Sequence, residues 1–203
     1  FREAVDYFGV HRGQKVTQKI AEANKGEARE PAAPTGPREW AAYNPPGDSW
    51  RSAARAFVEK AERRLWSNHR AAPSALHYLR GRGFTEGTIR SARLGLHPLD
   101  TWPERSAWGL SGEGSLCLPR GIVIPWFDAR GISNVNIRRP NGDVDPNGGK
   151  WERMKYKQAP GPSAPLYGAA DVGEKPVILV EGEFDALAVR QSAGDLCHAV
   201  ATG

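Results

Sequence analysis

Val177-Ile-Leu-Val-Glu-Gly-Glu-Phe-Asp-Ala-Leu-Ala188 decides how this chain is read: four apolar residues run into a Glu-Gly turn, and a segment with a second carboxylate follows. Val177 to Val180 have the pattern of a strand buried on both faces, as in a parallel sheet between helix layers. Asp185 falls in the first turn of the predicted helix, where the helix dipole favours a negative charge. Leu187, Ala188 and Ala193 continue an apolar helical face, Gly194 closes it, and Leu196-Cys-His-Ala-Val-Ala201 reads as the next strand. The result is a β-α-β unit with carboxylates at the end of its first strand. Glu181 and Asp185 are the candidate catalytic residues, and Glu181 is the candidate ligand of a cation that prefers hard oxygen donors. Glu183, between them, is expected to face solvent. The plain alternative is that Glu-Gly only ends the strand and Asp185 only favours a first turn.

Upstream, Ser74 to Pro98 predicts a short helix capped by Ser74, a glycine-rich turn, and a second helix capped by Thr85 and ended at Gly95. Arg120 to Arg139 predicts a hairpin, because two runs of strand formers flank Asp128-Ala-Arg-Gly131, and Pro125 points to an edge or bulge position. Lys155-Tyr156-Lys157 and Leu166-Tyr167-Gly168 follow.

These segments carry a resemblance. Val180-Glu-Gly-Glu-Phe-Asp185 resembles the opening of a TOPRIM domain, the catalytic fold shared by DnaG-type primases, topoisomerases and several nucleases. Tyr78-Leu79, Arg82-Gly83, Leu94-Gly95 and Pro98 resemble a "YL-x-x-RG … LG-x-x-P" passage of the DnaG-type primases, and the hairpin and the "KY…LY" residues occur in the order of that family. The resemblance covers roughly residues 74 to 203 and implies an α+β fold. A mixed helical and β-hairpin subdomain, residues 48–172, would precede the start of an α/β, Rossmann-like TOPRIM domain, residues 173–203. It implies a DNA primase, a nucleotidyltransferase making short RNA primers on single-stranded DNA from nucleoside triphosphates with Mg²⁺ or Mn²⁺, in concert with a replicative helicase. The family's Asp-x-Asp metal ligands would lie beyond Gly203, so the chain is expected to hold half a site and, alone, to bind single-stranded DNA weakly and synthesise nothing. Arg138 or Arg139, and Lys155, match positions that contact template and nucleotide phosphates in the family. Tyr156 and Lys157 stand beside them. Two alternatives remain open: another TOPRIM reaction, nuclease or topoisomerase, or a binding module without chemistry.

Composition fits a fragment of a soluble, cytoplasmic enzyme. The 203 residues hold 28 Lys and Arg against 23 Asp and Glu, a net charge of +5. No apolar run approaches the roughly 20 residues that span a bilayer. Cys117 and Cys197 stand apart with no ligand spacing, so no zinc site is supported within the chain. Phe1 to Gly9 resembles the closing helix of the zinc-binding domain that precedes such cores, giving residues 1–10 to that domain and placing zinc upstream. Residues 11–47, rich in Ala, Glu, Lys, Gly and Pro, read as a flexible linker. Asp48 or Ser49 is expected to cap a helix to about Ser67, with Trp50, Ala54, Phe57, Ala61 and Leu65 inward and Arg51, Arg55, Lys60, Arg63 and Arg64 on its polar side. A second basic cluster, Arg130 to Lys157 with Trp151 and Tyr156 interleaved, suits phosphates and stacked bases.

Overall fold

The structure is a computed structural model that describes residues 44–161, 163 and 166–203. The segment 1–10 and nearly all of the linker expected at 11–47 lie outside the described residues. Among the latter, the order of elements is α1 (Asp48–Leu65), α2 (Ala72–Gly81), α3 (Glu86–Ser91), β1 (Gly95–His97), β2 (Gly121–Asp128), β3 (Gly131–Arg138), α4 (Lys150–Arg153), β4 (Tyr156–Gln158), β5 (Val177–Val180), α5 (Glu183–Ala193) and β6 (His198–Ala201). No described helix is long and apolar enough to cross a membrane.

Strands β1 to β4 make an antiparallel sheet in that order. Side chains alternate across it. Val123, Val135 and Ile137 meet Trp50, Ala54, Val58 and Ala61 of α1 on one face. Ile122, Ile124 and Trp126 meet Tyr78 and Leu79 of α2, and Phe184 and Leu187 of α5, on the other. The sheet is therefore covered on both sides by helices that lie far apart in sequence. Gly95 is where α1 crosses β1: a Cβ there would lie 2.6 Å from the Ala61 Cβ.

The hairpin forms as its residues predict, and Pro125 shows why. β1 reaches only to Val123, so β2 has no neighbour on that side at position 125. Val135, opposite Pro125, turns its carbonyl toward Ala159 (2.8 Å), so the pair is a non-hydrogen-bonded one and the proline nitrogen faces the open side. A bulge follows at once, between Trp126 and Phe127.

Helix ends depart from expectation in three places. Gly47 rather than Asp48 or Ser49 occupies the N-cap of α1, without a side-chain cap. α2 starts two residues before Ser74, with Pro73 in its first turn. α3 stops at Ser91 because Arg93 takes a left-handed conformation (φ 53°), which frees Leu94 and Gly95 to enter β1. The Arg93 guanidinium is bound at 2.7 to 3.2 Å by the Glu62 carboxylate of α1, which offsets the strain. The Thr85 cap is present, its hydroxyl accepting from the Thr88 N–H at 3.1 Å.

β5 and β6 pair in parallel with α5 as the crossover, and Tyr167 bridges the far side of β6 through Ala201. Tyr167, on the earlier side of the boundary placed at 172, thus pairs with a strand of the later unit while its ring meets Trp126 of β2. The expected double-sided burial of β5 is absent: Leu179 is 62 % exposed and Val177 and Ile178 are exposed too, because β6 is its only strand neighbour among the described residues.

Arg51 also departs from its expected place on the polar side of α1. It is buried, makes a bidentate pair with Asp128 at 2.8 and 2.7 Å, and donates to the carbonyls of Pro46 and Ile132. Arg51→Ala should cost about 3 kcal/mol in urea unfolding, because it strands a half-buried carboxylate. His97, under α1, gives a pH signature: burial pushes its imidazole down to about 4. The unfolded chain then binds more protons between pH 4 and the ordinary value of 6.5. Stability is full above about pH 6.5 and falls as the pH drops through that value toward 4, by on the order of 3 kcal/mol. Urea midpoints at pH 7 and pH 5, with His97→Gln as control, check this.

Candidate active site

The Glu-Gly turn sits where the β5-α5-β6 unit meets the hairpin. Glu181 ends the strand exposed, and its carbonyl is gripped by Thr202 Oγ1 and the Gly203 N–H, both at 3.1 Å, so its backbone is fixed while its carboxylate has no hydrogen-bonding or ionic partner among the described residues. Gly182 then N-caps α5, accepting from the N–H groups of Asp185 and Ala186 at 3.1 Å. Asp185 leans back over the turn: its Oδ2 lies 3.5 Å from where a Gly182 side chain would begin. The two carboxylates expected from the spacing are thus both present and solvent-accessible.

Glu183 is where the structure overturns the reading. Instead of facing solvent it is 1 % exposed, and its Oε1 accepts from Trp126 Nε1 (3.1 Å) and Asn136 Nδ2 (2.6 Å), one donor from each strand of the hairpin. Helix geometry gives the reason. Glu183 is the first residue of α5, which lays Phe184 and Leu187 against the sheet, and the carboxylate at that start falls onto the polar positions of β2 and β3. The helix N-terminus and two neutral donors satisfy the buried charge.

The basic residues expected to form one groove divide into two groups. On the α5 face, Arg138 is 2 % exposed, donates to the Arg139 carbonyl (2.6 Å) and Asn141 Oδ1 (2.8 Å), and stacks over Tyr78 with its centre 4.9 Å from the ring. Tyr156, opposite Arg138 in the sheet, is half-buried, and burial pushes its phenol up to about 12. Lys155 is exposed, and burial of part of its stem followed by the charges of Arg138 and Arg82 lowers its pKa. On the other side, Arg139 binds the carbonyls of Trp151, Met154 and Asp143 at 2.7 to 2.8 Å and stacks on Trp151, while Lys157 points toward the same indole. The phosphate contact expected of Arg139 is therefore not available in this geometry. Its guanidinium clamps the 139–154 connection, and Arg138 is walled in beside it.

Arg82 joins the site instead. It follows α2, lies 5.2 Å over the Phe184 ring, and pairs loosely with Asp185 at 3.8 Å. The sequence marked it only as part of an Arg-Gly turn. Gly83, left-handed at φ 87°, lets the chain leave α2 at that point, and an arginine just before such an exit is the signal that was available. Asn136 had no motif at all. Among the described residues no group of three or more His, Cys, Asp or Glu gathers to hold a metal, so Glu181 and Asp185 supply two hard oxygen donors and no third.

This arrangement has known counterparts in fold. A DNA primase domain from Pseudomonas aeruginosa superposes with a TM-score of 0.57 at 24 % identity, covering 75 % of this chain and 53 % of that one. The RNA polymerase domain of Mycobacterium tuberculosis primase DnaG gives 0.56 at 21 %, covering 75 % and 55 %. A DnaG primase catalytic domain bound to single-stranded DNA gives 0.56 at 21 %, covering 76 % and 55 %. The chain has the fold of a DnaG-type primase catalytic core and spans about half the length of those structures. No protein-family model matches the sequence, and comparison with curated proteins finds no match.

Glu183→Ala leaves the Trp126 and Asn136 donors buried without an acceptor and should cost about 2 to 3 kcal/mol in urea unfolding, whereas Glu183→Gln, which keeps the Oε1 acceptor, should cost under about 1.5 kcal/mol. Equal losses in the two variants would mean that the charge, not the hydrogen-bond pair, holds the contact.

Proposed function

We propose that this chain is a fragment of a DNA primase core, acting in template-directed nucleotidyl transfer on single-stranded DNA. What supports the reading is a backbone-fixed Glu181 carboxylate without a partner among the described residues, Asp185 paired loosely with the exposed Arg82, and the exposed Lys155 within electrostatic reach of Arg82, in the fold of DnaG-type catalytic cores. Glu181 and Asp185 suit Mg²⁺ or Mn²⁺ because both are hard, exposed oxygen donors that leave positions for water and phosphate. Such an ion would supply charge for a developing alkoxide and for phosphate oxygens.

The remaining work falls to this chain's own side chains. Lys155 and Arg82 neutralise template or nucleotide phosphates, and Arg82 exchanges Asp185 for a phosphate as the ligand enters. Arg138, stacked between Tyr78 and Tyr156, adds positive potential beneath them without leaving its place. Tyr156, with its phenol pushed up to about 12, stays neutral and offers an O–H and a ring edge. Asn136 and Glu183 hold the turn that carries Glu181 against the hairpin. In this reading a replicative helicase would supply the single strand, in the compartment that holds replicating DNA.

The reading is tested at two levels. Labelled single-stranded DNA titrated with the chain at rising salt should lose affinity steeply, and Lys155→Ala or Arg82→Ala should weaken binding across sequences and reduce the salt slope by about 1. In the protein that carries this chain, primer synthesis from nucleoside triphosphates should require Mg²⁺ or Mn²⁺ and disappear in Glu181→Gln. Wild-type synthesis in that variant, or metal-dependent strand cleavage in place of synthesis, overturns the assignment.

A further inference from the structure

The face of the sheet away from Glu181 carries a feature that the polymerase reading leaves unused. α1, β1 and the segment after it enclose a cleft of about 530 Å³. Ala61, Phe57, Trp108 and Leu118 form its inner wall, with His97, whose Nε2 is engaged with Thr101 Oγ1 at 3.1 Å and whose ring meets Phe57 edge-on at 4.9 Å. At the rim, Leu99 and Trp102 are 63 % and 61 % exposed, a large apolar side chain on either side of Thr101. The size is that of sites that take a few buried groups of a ligand, typically about 300 to 1,000 Å³.

Its charge is one-sided. Lys60 and Arg64, one turn apart on α1, line the cleft, and neither belongs to an ion pair among the described residues. No carboxylate is among the lining residues; Asp100, which acts on His97 electrostatically, stands outside them with its Oδ1 accepting from the Arg120 N–H at 2.7 Å. His97 stays neutral near pH 7 because burial holds its imidazole far below the ordinary value, so the floor adds no charge. A ligand that fits must therefore bring apolar bulk for the interior and negative charge for the α1 rim.

We propose that this cleft is a docking site for an acidic peptide segment of a protein partner, one whose bulky apolar side chains enter between Trp102 and α1 while its carboxylates meet Lys60 and Arg64. A nucleic-acid strand matches less well. Strands are bound by a track of cations and by stacking platforms, whereas this cleft has two cations on a single helix and an interior of Ala, Leu and Pro side chains around the aromatic ones. An exposed indole beside a pocket, with charge on the rim, is the anatomy of a protein-binding hot spot. The cleft and the Glu181 site lie on opposite faces of the sheet, so this proposal stands or falls without the polymerase reading.

The test uses the chain and two fluorescein-labelled synthetic peptides, one alternating Asp with Leu and Phe, the other with every Asp replaced by Lys, read by fluorescence anisotropy. The acidic peptide should bind at least about tenfold more tightly than the basic one, and Trp102→Ala should weaken it by about 30-fold. Lys60→Glu with Arg64→Glu should reverse the preference between the two peptides, a gain of binding that misfolding cannot mimic. Lys60 is exposed and Arg64 half-buried, and circular dichroism on the variant checks that the fold is kept. The proposal is overturned if the acidic peptide does not bind up to millimolar concentration, or if its affinity is indifferent to Trp102 and to the charge reversal. It is also overturned if oligo-dT displaces the peptide and itself loses affinity in Trp102→Ala, which makes the cleft a nucleic-acid site.

Discussion

A buried carboxylate oxygen joins the hairpin to the β5-α5-β6 unit. Glu183 Oε1 takes hydrogen bonds from Trp126 on β2 and Asn136 on β3, and it stands at the start of the helix whose preceding turn carries Glu181. Beside that contact the β5-α5-β6 unit meets the hairpin through the apolar Phe184 and Leu187, while Gln191 of α5 hydrogen-bonds Gly83, Thr85 and Thr88 at the α2–α3 turn. Hydrogen bonds to a charged acceptor are directional and short, so they set the angle at which the turn is held against the hairpin. Gly203 completes the fit: a Cβ there would come 2.6 Å from the Trp126 ring, so only glycine lets the chain close over the indole and reach the Glu181 carbonyl.

The sheet divides labour between its faces. The α1 side is held by apolar packing and by the buried Arg51–Asp128 pair, and it keeps the hairpin turn in place. The α5 side sets a polar row, Asn136 and Arg138 on β3 with Tyr156 on β4, against the Glu183 carboxylate at the start of α5. Both arrangements need a β3 buried on each side, which explains why its residues are so mixed: apolar where they meet α1, polar where they meet the site.

How much of this could be read from the residues depends on whether the cause was local. The Thr85 cap, the hairpin and the place of Pro125, and the strand-turn-helix from Val177 onward follow from neighbouring residues, and the structure has them. Glu181 and Asp185 also appear where their spacing puts them. What failed was settled by partners distant in sequence. Arg51 looked like a solvated helix residue until Asp128 came to it, Arg93 ended α3 early with Glu62 to hold it, and Glu183 looked exposed until the hairpin supplied two donors. The β5 run was read as doubly buried from its apolarity, which measures what a strand can bury and not what covers it.

The same distinction ranks the arginines as candidate phosphate ligands, and magnitudes decide it. Arg139 would have to give up three carbonyl bonds and its place on Trp151 before it could meet a phosphate. Bonds of a charged donor are worth about 1.5 to 3 kcal/mol each, and the carbonyls left behind would add their own cost. Arg82 gives up only a contact at 3.8 Å between two side chains that are 39 % and 58 % exposed, a pairing of the kind worth at most about 1 kcal/mol. A phosphate can replace that loose, exposed contact at little cost and cannot replace the first. Mobility of charge, more than the number of charges, makes Arg82 and Lys155 the candidates to meet a phosphate in the proposed reading, and Arg138 and Arg139 the candidates for the frame beside them.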